Sequence, residues 1–74
     1  MKHIIQFKIN KGENYFVGEG VDVPVVTQGK TIDEVVTNLQ EALALYLEGE
    51  DLEALGIASR PSALVNFELE PTHV

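Results

Sequence analysis

Four carboxylates sit where strand ends could bring them together. Glu19 and Asp22 lie near the end of the second strand-like run, and Glu68 and Glu70 lie in the last one. Converging carboxylates that hold two divalent cations are the machinery of phosphodiester hydrolysis. In the strand-borne form of that machinery, at least one acid comes from the first strand. Here the first run, His3 to Asn10, contains none. His3 and His73 stand at opposite ends of the chain. To ligate a metal or act as a base they would have to meet through the fold or across a dimer. Thr27 and Thr31 flank Gly29, but no Ser, Cys or Lys is spaced with a His as a nucleophile would be. Gly18-Glu19-Gly20 is too short for a phosphate-cradling loop and lacks the Lys-Ser or Lys-Thr end. These acids and histidines therefore read as solvated surface, and no catalytic, metal or cofactor residue is expected.

The acidic run Glu48, Glu50, Asp51 and Glu53 points to a different chemistry. Asp33, Glu34 and Glu41 extend it along a helix, giving a landing surface for the Lys and Arg side chains of a basic partner. The plainer reading is a solvated helix end. The whole chain has twelve acids against five bases, a formal charge of −7. A negative surface repels phosphate backbones, so direct nucleic-acid binding is not expected.

With 74 residues the chain makes one domain, 1–74. A domain of this size buries only about 60% of its unfolded surface, and no cysteine is present to staple it. Self-association, as a dimer or tetramer, is the expected compensation. No apolar run approaches the ~20 residues of a membrane span. The start, Met1 to Ile5, lacks the apolar region of a signal peptide. The cytoplasm is the expected compartment.

Periodicity supplies the elements. Ile5, Phe7 and Ile9 alternate with Gln6, Lys8 and Asn10, the period-two mark of a half-buried strand. Lys11 to Asn14 is turn chemistry. A second strand spans Tyr15 to Val21, in which Gly18 and Gly20 on one face imply a bulge or a close backbone approach. After Asp22-Val23-Pro24, a short third strand covers Val25 to Gln28, with Pro24 suited to an edge. Gly29 ends it. Thr31 is an N-cap with Glu34 at the capping-box spacing. A helix is predicted from Ile32 to Glu48, with Ile32, Val35, Val36, Leu39, Ala42, Leu43, Tyr46 and Leu47 on its apolar stripe. Gly49 is the expected C′ glycine. Leu52 to Ile57 is read as one or two helical turns ending at Gly56, and Arg60-Pro61-Ser62 as a loop. A last strand alternates from Leu64 to Glu70 until Pro71, and 72–74 form a tail. The expected fold is α+β: a three-stranded antiparallel meander, one long helix on the sheet, and a final strand parallel to one of the others (β-β-β-α-β). Val17, Val21 or Val25 would leave an apolar patch on the uncovered face.

The segment Tyr15 to Glu48 resembles the N-terminal domain of HicB antitoxins and their stand-alone relatives. The matching residues are Tyr15, Pro24, Val26, Thr27, Gln28, Gly29, Thr31, Glu34, Leu39, Ala42 and Tyr46. The resemblance implies a partial RNase H-like fold. It implies as partner a small basic HicA-type toxin, an mRNA-cleaving protein whose active site the domain covers. The chain departs from the family pattern where Val25, rather than Gly, follows Pro24. Full-length antitoxins add a DNA-binding domain, for which Glu50 to Val74 is too short, so operator binding by this chain is not expected. Three functions follow: a HicB-like occluding module, a homo-oligomeric domain with another ligand or no partner, and a Mg²⁺-dependent nuclease of the RNase H type.

Overall fold

The computed structural model describes residues 2–68. The elements are β1 (Lys2–Lys11), β2 (Phe16–Gly20), β3 (Val26–Gly29), α1 (Ile32–Glu48) and β4 (Ile57–Phe67). One four-stranded sheet has the order β3-β2-β1-β4. β1 pairs antiparallel with β2, β2 antiparallel with β3, and β4 returns parallel to β1. The β-β-β-α-β, α+β fold is thus the one expected from periodicity. A strand that follows a long helix needs such a crossover to rejoin its sheet.

β1 is the spine of the core. Its odd positions Ile5, Phe7 and Ile9 are fully buried, while Gln6 and Lys8 face solvent on the other side of the sheet. The hairpin to β2 closes where the Gly12 N–H donates to the Tyr15 carbonyl at 2.7 Å. In register, Ile9 lies beside Gly18 and Phe7 beside Gly20. Large side chains on β1 thus stand next to positions with none on β2. That gap brings the helix down. A Cβ on Gly18 would fall 2.7 Å from Val35 Cγ1 and 2.9 Å from Leu39 Cδ1. At Gly20 it would fall 2.4 Å from the Val23 carbonyl oxygen. The β1–β2 register runs without a break, so of the two expectations for these glycines, close approach is the one realised.

The 21–25 loop differs from simple alternation. Val23 and Val25 both turn into the core, whereas Val21 and Val26 are exposed on the uncovered face. Val25 therefore does not contribute to that face, and β3 begins one residue later than the apolar run suggests. Pro24 lies in the loop before the strand.

In α1, Val35, Leu39 and Leu43 recur every four residues and form the buried stripe, with Val36, Ala42, Tyr46 and Leu47 packed beside it. Ile32, which spacing places on this stripe, is 38% exposed. Thr31 caps the helix: its Oγ1 accepts the Glu34 N–H at 3.1 Å. Losing that acceptor leaves a first-turn donor unpaired. Thr31→Ala is expected to cost about 1 kcal/mol. The check is a lowered urea midpoint at unchanged m-value, which Thr31→Ser restores.

Two sequence expectations fail after the helix. Gly49 caps α1 with φ −95°, so the left-handed closure is not used there. The glycine with positive φ is Gly56, at 71°. It turns the chain into β4 while its carbonyl accepts the Lys2 N–H at 2.6 Å. Secondly, Ile57 and Arg60-Pro61-Ser62 belong to β4 rather than to a helical turn and a loop. Lys2 pairs with Ile57 but Ile4 with Ser62, so two steps along β1 match five along β4. The surplus forms a bulge that holds Pro61, whose missing N–H is tolerated on an edge. Described strand structure ends at Phe67. Glu70, Pro71 and His73 lie outside the described residues.

Candidate interaction surface

Among the described residues, Glu19, Asp22 and Glu68 are not brought into one site. Asp22 Oδ2 pairs with Lys2 Nζ at 3.1 Å, and Glu19 Oε1 lies 3.9 Å from Lys8 Nζ. Asn10 Nδ2 lies 3.5 Å from the same Glu19 oxygen. Glu68 is exposed just past the end of β4, and His3 is exposed on β1. Among the described residues no three His, Cys, Asp or Glu side chains come together as metal ligands. A small cavity of about 90 Å³ lies between Lys2, Asp22, Val23, Tyr46, Leu55 and Ile57. Ligand pockets usually start near 300 Å³. The Tyr46 side chain is half-buried against the core, so its role here is packing.

The family-motif residues build the frame. Tyr15 closes the hairpin through its carbonyl. Thr27 and Gly29 sit on the helix side of β3. A Cβ on Gly29 would lie 3.0 Å from the Val35 amide nitrogen, so the absence of one lets the helix start close to the strand. The Gln28 carbonyl accepts Asn38 Nδ2 at 2.9 Å, which pins α1 to β3. Together these contacts fix the rotation of α1, and hence the direction of its outer face.

That outer face carries the charge. Asp33, Glu34, Glu41, Glu48, Glu50, Asp51 and Glu53 are all exposed. No Lys or Arg occurs between Thr31 and Ser59. The rest of the chain holds five acids (Glu13, Glu19, Asp22, Glu68, Glu70) and five bases, which cancel. The whole net charge of −7 therefore sits on α1 and the turn after it. Glu34, Glu41 and Glu48 are spaced by seven, two helical turns apart, so they form a straight ridge opposite the buried stripe. At 1.5 Å per residue the ridge spans about 20 Å. Among the described residues neither ion pair involves any of the seven acids.

Two details separate members of this set. Asp33 and Glu34 occupy the first turn, where the helix dipole favours anions, and no basic residue occupies the last turn to offset Glu48. Asp51 also shapes the backbone locally, since its Oδ1 accepts the Ala54 N–H at 3.3 Å and holds the 51–55 turn. Between Glu41 and Glu48 lies Leu45, 71% exposed. It falls off the apolar stripe, so sequence alone assigns it no role. Its placement at four residues after Glu41 and three before Glu48 was nonetheless readable from helical spacing. Leu45 is thus an exposed apolar side chain flanked along the helix by two carboxylates.

No family model, curated protein or solved structure matches this chain. Among the described residues, no helix is long and apolar enough to cross a membrane.

Proposed function

We propose that this chain is a binding protein of the HicB-like kind, which covers the active site of a small basic mRNA-cleaving protein of the HicA type. It does no chemistry of its own. The single observation that carries this reading is the concentration of the net −7 charge on α1 and the turn after it, with Leu45 exposed between Glu41 and Glu48. Among the described residues none of these acids is in an ion pair. Such a surface favours approach of a positively charged protein and disfavours approach of RNA itself. The element order β-β-β-α-β supports it, since that order is what the family resemblance implies. An RNA-binding ribonuclease needs a basic substrate surface, and an acidic ridge laid over that surface excludes substrate by both charge and volume.

The test is an RNA-cleavage assay with a HicA-type ribonuclease titrated by this chain. Cleavage should fall linearly and vanish near one equivalent. Full cleavage at a large excess of this chain would sink the reading. So would cleavage of the same RNA by this chain alone with Mg²⁺ or Mn²⁺.

A further inference from the structure

We propose that a second copy of this chain docks along β4, antiparallel, with Leu64 on the two-fold axis, joining two four-stranded sheets into one of eight strands. The proposal is independent of the toxin-covering reading, because it uses the sheet edge and leaves the helix ridge free.

The sheet order leaves two edges, β3 with four residues and β4 with eleven. Backbone polar groups along a strand point alternately to either side. The Glu68 N–H donates inward to the Ile9 carbonyl at 3.4 Å, and on the far side of β1 the Val21 N–H donates to the Gln6 carbonyl at 2.9 Å. The alternation therefore turns Ser62, Leu64 and Asn66 toward β1. The N–H and C=O groups of Ala63, Val65 and Phe67 turn away from it. Among the described residues no hydrogen bond outside the β1 ladder reaches these outward groups. An edge of this length with unpaired groups is a template for another strand unless charge or proline blunts it. From Ser62 to Phe67 there is neither.

Self-complementarity selects the occupant. With Leu64 opposite Leu64 of the second copy, Ala63 faces Val65 and Val65 faces Ala63. Each of these two pairs exchanges both of its outward N–H···O=C bonds, the hydrogen-bonded pairing of an antiparallel ladder. Beyond Ala63 the ladder ends at Pro61, which lies in the bulge and has no N–H to donate. Counting on past the bulge, the same arrangement brings Arg60 of one copy near Glu68 of the other, twice. Both residues are exposed, and they are the only charges on or adjoining β4. An interface of this kind is isologous and closes at two copies. The repulsion between two copies of charge −7 is lessened at this edge, because α1 packs on β2 and β3 rather than on β4.

Sedimentation velocity over a concentration series of the full chain tests this. The wild-type chain should show a reversible monomer–dimer equilibrium. Leu64→Lys sets two ammonium groups opposite each other at the axis and should raise the dissociation constant at least about ten-fold. Arg60→Glu should weaken the dimer about as much, and adding Glu68→Arg to the same chain should restore it. Circular dichroism shows whether each variant keeps the fold. If Leu64→Lys does not fold, the charge-swap pair decides alone. The proposal is overturned by a wild-type chain that stays monomeric, by a dimer indifferent to Leu64→Lys, or by a double swap no tighter than the single changes.

Discussion

Phe7→Ala is expected to remove most of the stability of this domain. Phe7 has no exposed surface and sits in the centre of β1, beside Gly20 on one side and Val65 on the other. Truncating a buried Phe typically costs about 3–5 kcal/mol, the transfer term plus the cavity left behind. Here the cavity does not collapse easily. Gly20 has no side chain to lean in, and the 21–25 loop is held by the Gly20 N–H to Val25 carbonyl bond at 2.7 Å. A chain of this length has a total stability of roughly 4–11 kcal/mol. The loss is thus a large fraction of the whole, worth about 4–8 °C of Tm per kcal/mol. Thermal unfolding followed by far-UV circular dichroism checks it, with Phe7→Leu as the milder control. A Tm within a few degrees of wild type in Phe7→Ala would mean that the core is not organised around β1.

The parts of this fold that could be read from sequence are the ones set by local spacing. Ile5, Phe7 and Ile9 alternate whether or not a neighbouring strand is known. Thr31 and Glu34 mark a helix start through a bond only three residues long. What could not be read depends on partners far along the chain. Ile57 joins the sheet because Lys2 is waiting for it, and nothing near Ile57 announces that. Arg60-Pro61-Ser62 has loop composition, and a bulge on an edge strand lets that composition stay in the sheet. Gly49 and Gly56 are equally good turn residues in isolation. The tertiary pull of β1 on Ile57 decides that Gly56 takes the positive φ. Val25 and Val26 exchange the faces that alternation suggests, because the 21–25 loop folds back on its own backbone. The candidate surface shows the same division. Each of the seven acids was visible, but their union with Leu45 needed the helix phase. The separate duty of Asp51 needed the turn geometry.

Replacing Glu41, Glu48, Glu50 and Glu53 together by Gln should slow association with a basic ribonuclease by about 10–100-fold at low salt, and less as salt rises. The reason is long-range. Steering by complementary charge accelerates encounter by roughly 10–10³, and at physiological ionic strength it is screened over about 8 Å. Asp51 is left in place because its carboxylate caps the 51–55 turn. Leu45→Ala should act on the other rate. It removes a short-range apolar anchor, so dissociation should quicken while association holds nearly steady. Stopped-flow or surface-binding kinetics at two salt concentrations separate the two effects. The Gln variant carries a second expectation of opposite sign. Glu48 stands in the last turn with no cation nearby, where the helix dipole disfavours it. Neutralising it should stabilise the free protein, on the order of a few tenths of a kcal/mol. A sequence that keeps a charge costing its own helix is explained if that charge is used on something else. An equal association rate for the wild-type chain and the Gln variant at low salt would remove that explanation. The ridge would then be no more than a solvated helix face.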